Sequence, residues 1–268
     1  MKNVRYATLT VARNEEKIIS GALDSIINQT IRPQHIVVVN DGSTDNTRSI
    51  LNDYRVKLNS KYGNDFFIVI NRPNRGFSAL GTVIMADVYN DGFKVLQKFD
   101  DWDYVIIVSS DTRLPYNFVE RIIPRMNGYG VASGTAIDNY AFERLNPEAP
   151  QGASRVIRRE IIDGIGGQYP RTYNWEGSTV LYSWYKGLKT GHFPDIIFQR
   201  ARAGSQGHRR NYIGWGRGMK DGGYHPLMVV VRSLKLLILR REVNKAVKFF
   251  VGYMGQPKLK NPPAYIKN

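Results

Sequence analysis

The stretch His35-Ile36-Val37-Val38-Val39-Asn40-Asp41-Gly42-Ser43-Thr44-Asp45-Asn46-Thr47 decides how this chain folds. Four consecutive β-branched side chains, Ile36 to Val39, form a run too short for a buried helix. Such a run fits a strand covered on both faces. Asn40 to Ser43 is turn chemistry, and Thr44–Asn59 reads as the helix that follows. Strand, acidic turn and helix make one half of a βαβ unit. In an open α/β sheet, ligands sit beyond the carboxyl ends of the strands. Asp41 occupies that position, where an acid can accept from a base N–H or a ribose hydroxyl. Ser43, Thr44 or Asp45 could equally cap the next helix.

The same alternation extends outward. Tyr6–Val11, Phe66–Ile70, Tyr104–Val108 and Val131–Ala136 read as strands. Glu16–Gln29, Phe77–Tyr89 and Asn117–Met126 read as helices between them. The expected fold is therefore α/β, a mostly parallel sheet flanked by helices. After about residue 137 the pattern changes. Ile137–Gly152 reads as loop, Ala153–Ile165 as helix, Gly166–Tyr173 as loop. Glu176–Lys189 reads as helix and His192–Phe198 as strand. Gly204–Tyr224 is a Gly- and Arg-rich stretch with little periodicity, and Pro226 opens a C-terminal helical extension.

The 268 residues carry 38 Lys and Arg against 23 Asp and Glu, a net charge of +15. The excess is concentrated: Arg200 to Asn268 holds fifteen bases and two acids, Asp221 and Glu242. Such asymmetry implies an anionic partner, whether nucleic acid, lipid or phosphate-bearing substrate. There is no cysteine, which excludes disulfides, thiolate zinc sites and a cysteine nucleophile. No apolar segment follows the charged N-terminus, so no signal peptide is expected. The most apolar region, Leu227 to Val251, is broken by six bases, and no run of about 18 apolar residues exists. The expected location is cytoplasmic, peripheral at a membrane.

Two further strand ends carry polar clusters. Val11-Ala12-Arg13-Asn14-Glu15-Glu16 closes the first strand, and Val108-Ser109-Ser110-Asp111-Thr112 closes the fourth. A lone carboxylate with flanking hydroxyls suits a hard divalent cation bridging a diphosphate, since Mg²⁺ keeps most of its waters. The alternative is again a helix cap, ahead of Pro115.

These pieces, with Asn74-Arg75-Gly76-Phe77-Ser78-Ala79, Gly166-Gly167-Gln168-Tyr169, Trp175-Glu176, Gly216-Arg217-Gly218 and Gly223-Tyr224-His225-Pro226-Leu227, resemble family 2 glycosyltransferases of the GT-A fold. The likeness covers roughly residues 3–230 and points to members with a basic, membrane-proximal C-terminal segment. It implies a glycosyltransferase domain at 1–225, with a nucleotide-binding half at 1–136 and an acceptor half at 137–225. A basic amphipathic extension follows at 226–268. The implied reaction moves a sugar from a nucleotide-diphosphate donor to an acceptor hydroxyl, on a glycan or lipid carrier, with inversion. Glu15 and Asp41 would hold base and ribose near the backbone of Ala12 and Arg13, with Asn74 and Ser110 also at the donor. Asp111 would match the last acid of the family's Asp-x-Asp motif and hold Mg²⁺ or Mn²⁺. Glu176 would match the first acid of the Glu-Asp pair and act as general base. Three positions depart from the pattern: Ser109 replaces the first Asp, Gly177 the second acid of the pair, and Gly81 an arginine. One metal-binding acid remains, and diphosphate neutralisation falls to other residues.

An inverting displacement needs one carboxylate to deprotonate the incoming hydroxyl, which fits Glu176. Trp175 beside it could stack on a sugar ring, and Glu176 could instead be a helix-start acid favoured by the dipole. Gln206-Gly207-His208-Arg209-Arg210 partly resembles the Gln-x-x-Arg-Trp motif of processive members, with Arg210 at the Trp position, so processivity is not implied. Arg209, Arg210 and Arg217 could neutralise the leaving diphosphate from a closing loop, or face solvent or lipid. His208 is a second candidate phosphate contact. His35 reads as structural, and His192 and His225 lack metal-ligand spacing. The C-terminal segment is expected to break near Leu239–Arg241 into two amphipathic helices. These would turn Leu234, Leu236, Leu237, Val247, Phe249 and Phe250 toward an anionic membrane, or pack them on the body or a second subunit.

Competing functions are a nucleic-acid-binding module, with Tyr212, Trp215 and Tyr224 stacking bases, and a catalytically decayed homologue. No nucleic-acid-binding motif supports the first. A nucleotidyltransferase would need a Gly-rich phosphate loop after the first strand, and Val11–Glu16 holds no glycine.

Overall fold

A computed structural model describes residues 4–137, 148–202, 211–239 and 241–266. Its first half repeats one unit. Strands β1 (Tyr6–Ala12), β2 (His35–Asn40), β3 (Phe67–Asn71) and β4 (Tyr104–Val108) alternate with helices α1 (Ile19–Ile27), α2 (Thr47–Tyr62) and α3 (Ile84–Leu96). These four strands pair in parallel, in the order β3-β2-β1-β4. Successive strand side chains point to opposite faces, so β2 feeds two cores. Ile36 and Val38 meet Leu23 and Ile26 of α1 and Leu51 of α2. Val37 and Val39 meet Ala86, Val88 and Phe93 of α3. All six residues of β2 are buried, as expected of a strand covered on both sides.

The second half adds β5 (Thr112–Arg113), α4 (Phe118–Ile122), β6 (Tyr129–Ile137), β7 (Ser154–Arg158), α5 (Arg159–Gly164), α6 (Ser178–Tyr185) and β8 (Lys189–Arg200). Among the described residues, one eight-stranded sheet results, ordered β3-β2-β1-β4-β7-β6-β8-β5. β7 runs antiparallel to both β4 and β6, and β5 antiparallel to β8. The expected parallel sheet thus holds in the first half and becomes mixed in the second.

Three expectations shift. Ala153–Ile165 is not one helix: its first part is β7, and only Arg159–Gly164 is helical. Val156 and Ile157 serve opposite cores, which a strand allows and their spacing from Ile161 and Ile162 disguises as helical. The helix expected at Phe77–Tyr89 begins later, at Ile84, because the chain first turns through Gly81 at a φ of +75°. The stretch expected as loop contains α7 (Tyr212–Asp221), started by Asn211, whose side chain accepts from the Gly214 N–H.

The chain then forms α8 (Pro226–Leu234), a π-helical turn at Lys235–Leu239, and α9 (Val243–Gly255). Arg241 takes the left-handed conformation at a φ of +51°, so the break falls where the sequence places it. α7, α8 and α9 share an apolar cluster of Tyr212, Met219, Val229, Leu236, Phe249 and Tyr253. Leu236 and Phe249, expected to face outward, are therefore buried. Each completes the cluster under α7.

Candidate active site

The carboxyl ends of β1, β2, β3 and β4 form one polar edge. The Asp41 amide donates to the Ala12 carbonyl (2.8 Å), which joins the ends of β1 and β2. Arg13 then ties three loops together, donating to the Asp41 and Gly42 carbonyls and to Asn74 Oδ1 (2.8 Å). Gly42 is required here. It has a φ of +67°, and a Cβ would lie 2.6 Å from the Pro73 carbonyl. The loop after β1 zips onto the loop after β2: Ser43 and Thr47 accept from the Asn14 and Glu15 amides, and Asp45 accepts from the Glu16 amide. Asp45 therefore stitches loops as well as receiving the Thr47 N–H.

Three acids of this edge, Asp41, Glu15 and Asp111, face arginine. Asp41 is buried, accepts from Arg75, and lies 3.7 Å from Arg72 Nε. Burial pushes its carboxyl up from the ordinary value, against the pull of Arg75, Arg72 and Arg13. Glu15 accepts from Ser110 Oγ (3.1 Å) and from Arg202 (2.7 Å). Asp111, also buried, accepts from Arg200 (2.8 Å), with Arg202 Nε 3.8 Å away. Arg202 thus spans Glu15 and Asp111. Arg72 Nη1 and Arg200 Nε are buried and have no hydrogen-bond partner among the described residues. These four arginines were not singled out from sequence as site residues. Arg72 and Arg200 end or follow strands, as the acids do, and that position was the available signal.

Glu176 belongs to a second wall of the same edge. The Ser109 amide donates to the Ala153 carbonyl (3.2 Å), two residues before Asp111. Gly152, the next residue back, abuts the Glu176 carboxylate: a Cβ built on it would lie 2.6 Å from Oε1. Arg155, on β7 and nearly fully buried, ion-pairs with Glu176 Oε1 (3.1 Å) and donates to its carbonyl (2.9 Å). The Glu176 side chain remains 40% exposed, so its carboxylate is held from one side and open on another. Behind it, Trp175 stacks on Tyr89 (5.3 Å between ring centroids) and meets Tyr169 edge-on (4.9 Å). Burial raises both tyrosine hydroxyls, and the Glu176 charge adds to the rise. Trp175 is thus packed into this wall.

The expected basic loop divides. Arg209, Arg210 and His208 lie outside the described residues. Arg217 is not on a loop but on α7, where it donates to the Tyr173 hydroxyl (2.7 Å) and covers the Tyr173 ring. The sequence hid this because glycines at contact positions interrupt the apolar residues of α7. Gly218 abuts the Tyr173 carbonyl, and buried Asp221 accepts from the Tyr173 amide (2.7 Å). His35 is structural, bonded to the Asp65 carbonyl and Asp101 and stacked on Phe99. His225 caps α8. Of the three aromatics offered for base stacking, Tyr212 is buried and Trp215 is exposed, and Arg232 lies over both Trp215 and Tyr224.

Among the described residues, no group of three or more metal-ligating side chains occurs. Asp111, the acid expected to hold a cation, faces two guanidinium groups that balance its charge.

Acids and arginines thus meet at the carboxyl edge of a mixed α/β sheet flanked by helices. The family model described as Glycosyl transferase family 2 matches residues 8–173, and the chain belongs to that family. Over 116 residues it is 30% identical to a poly-beta-1,6-N-acetyl-D-glucosamine synthase of Staphylococcus aureus, covering 42% of this chain and 24% of the synthase. Over 100 residues it is 34% identical to an uncharacterized glycosyltransferase of Mycoplasma genitalium, covering 33% of this chain and 34% of that protein. These matches span about a quarter to a third of the relatives' lengths. Among solved structures, the mannosyltransferase PcManGT from Pyrobaculum calidifontis, in complex with GDP-Man and Mn²⁺, aligns with a TM-score of 0.62 at 16% identity. That alignment covers 95% of this chain and 76% of that one. S. aureus TarS 1-349 in complex with UDP-GlcNAc aligns with a TM-score of 0.56 at 14% identity, covering 94% and 72%. The fold is the GT-A fold.

Proposed function

We propose that this chain transfers a sugar from a nucleoside-diphosphate donor to an acceptor hydroxyl, on a glycan or lipid carrier, with inversion at the anomeric carbon. The solved relatives with GDP-Man and with UDP-GlcNAc support a donor of this class. Asp41 and Glu15 bind the base and ribose, with Ala12, Arg13 and Asn74 framing them. The open donors of Arg72 and Arg200 favour an anionic, carbonyl-rich ligand at this edge. Asp111 fits a divalent cation that keeps most of its waters, because a single buried carboxylate plus diphosphate oxygens is a sufficient donor set. Bound there, Mg²⁺ or Mn²⁺ would supply positive charge to the diphosphate.

Glu176 acts as the base. Its carboxylate takes the proton of the acceptor hydroxyl as that oxygen attacks the anomeric carbon from the face opposite the nucleotide. The bond from carbon to diphosphate oxygen breaks, and the nucleoside diphosphate leaves with the electron pair. Arg200 and Arg202, at the acids of the donor edge, offset the charge of the departing group. Arg155 keeps the Glu176 carboxylate oriented. The observation that carries this reading is the placement of Glu176: anchored by Arg155, half exposed, and beside the strand that continues to Asp111.

Glu176→Gln keeps the shape and removes the base. It should lower turnover by about 10²- to 10⁴-fold, measured as nucleoside-diphosphate release from a nucleotide sugar in the presence of acceptor. Affinity for the diphosphate itself should stay within twofold. Near-normal turnover in Glu176→Gln would show that the base lies elsewhere.

A further inference from the structure

The two C-terminal helices present apolar surface that no described residue covers. α9 has three faces. Ala246, Phe249 and Tyr253 point into the cluster under α7. Asn244, Lys245 and Lys248 form an exposed polar face. Between them, Val243, Val247, Phe250, Val251 and Met254 recur at i, i+4, i+7, i+8 and i+11 as a continuous stripe, each at least 40% exposed. α8 repeats the arrangement: Val229 is buried, while Leu227, Val230, Val231 and Leu234 line an exposed side. One amphipathic stripe suffices to dock a helix on its own domain. Here the docking stripe is already used, and a second apolar stripe remains outside, which marks an interaction surface.

Charge selects the occupant. Residues 226–268 carry nine Lys and Arg and one acid. Lys248 on α9, and Lys235 and Arg241 in the connection between α8 and α9, are exposed beside the stripes. Two copies of this face would bring like charges together, which opposes association. A surface that is apolar in the middle and negative at its rim matches both features.

We propose that the α8–α9 face seats on an anionic lipid bilayer, with the apolar stripes in the headgroup–acyl boundary and the lysines and arginines at the lipid phosphates. No helix of the described residues is long and apolar enough to cross a membrane, so the contact is one of surface docking. The reaction edge follows the membrane closely. α9 touches α7 backbone to backbone: a Cβ on Gly216 would lie 2.0 Å from the Phe249 carbonyl, and one on Gly252 2.2 Å from that of Ile213. The other side of α7 holds Tyr173, three residues before Glu176. One helix layer separates the docking face from the segment that carries the base, which suits an acceptor hydroxyl borne on a lipid. That consequence rests on the transferase reading, whereas the docking itself does not.

The test is flotation of the full chain with vesicles of phosphatidylcholine alone, and of phosphatidylcholine and phosphatidylglycerol in equal parts, without nucleotide. Wild type should bind the mixed vesicles about tenfold or more tightly than the neutral ones, and lose the difference at high salt. Val247→Asp with Val251→Asp, both at exposed positions, should abolish binding while circular dichroism and the melting midpoint stay unchanged. Wild type left in solution with the mixed vesicles would overturn the proposal, as would a double variant that binds like wild type. A dimer seen by light scattering and dissolved by the double variant would assign the face to a second copy instead. Because no nucleotide is present, none of these outcomes depends on the donor site or on Glu176.

Discussion

Replacing Gly152 with alanine places one methyl group against the proposed base. The new Cβ would lie 2.6 Å from Glu176 Oε1, about 0.8 Å inside ordinary van der Waals contact. Gly152 is not among the glycines with positive φ, so alanine fits its backbone. The atom in the way is the end of a flexible side chain, so the carboxylate yields and the fold does not. A displacement of about an ångström at a reacting group can cost about 100-fold in rate, so a 10- to 100-fold loss of turnover is expected. Donor affinity should be untouched, and the melting midpoint should move by less than about 2 °C, since surface-side changes stay within about 0.5 kcal/mol. Steady-state release of nucleoside diphosphate, run beside a thermal scan, reads both quantities. Turnover within twofold of wild type would refute the placement of the base. A rate loss matched by a large fall in melting midpoint would refute the assumption that only the carboxylate moves.

Asp41→Asn removes the counter-charge of Arg75 and one of the two acids beside Arg72, the other being Asp91; these arginines are 17% and 21% exposed. Breaking a buried pair costs about 3–5 kcal/mol. Partial hydration of these arginines lowers that to about 2–3 kcal/mol, or roughly 4–12 °C in a chain of this size. A calorimetric midpoint within 2 °C of wild type contradicts it. Gly216→Ala should likewise destabilise, by about 1–3 kcal/mol from overpacking against the Phe249 carbonyl, although alanine is ordinarily the better helix former. A raised midpoint would show that α7 and α9 can separate freely. Asp195 is held below the usual carboxylate range chiefly by the hydrogen bond from Arg125, against an upward push from burial and with help from Arg121. Its stabilisation is complete above the unfolded value near about 4 and is lost as pH falls through the lower native one. Asp195→Asn should therefore flatten the acid-side fall in melting midpoint by an amount worth less than about 1 kcal/mol, since the group is half exposed. Superimposable pH curves would contradict this.

The first half of the chain was legible because its signals are local. A run such as Ile36–Val39 can only be satisfied by cover on both faces, and Asp41 follows it directly. The second half was less legible because its order comes from distant partners. β7 is a strand through its pairing with β4, some fifty residues earlier, and its own residues fit either a helix or a strand. α7 was hidden because close backbone approach demands glycine at Gly216 and Gly218, which erases the apolar period. The acids of the site could be found at strand ends, but cations such as Arg202 and Arg155 could not. Arg202 reaches Glu15 across 187 residues of sequence, and Arg155 lies in a stretch whose spacing reads as helix. Leu236 and Phe249 looked like lipid-facing residues because amphipathicity alone does not say which of two apolar stripes is covered.

The most direct measurement of the donor edge is a thermal-shift panel of UDP, GDP, dTDP and CDP, each with and without Mn²⁺, on wild type and Asp111→Ala. A diphosphate at about 100 times its Kd adds about 2.7 kcal/mol to the folded state. One member of the panel should raise the wild-type midpoint in the presence of Mn²⁺, and Asp111→Ala should lose that rise. A wild-type midpoint unmoved by every nucleotide, or a metal-dependent rise that survives in Asp111→Ala, would contradict the account.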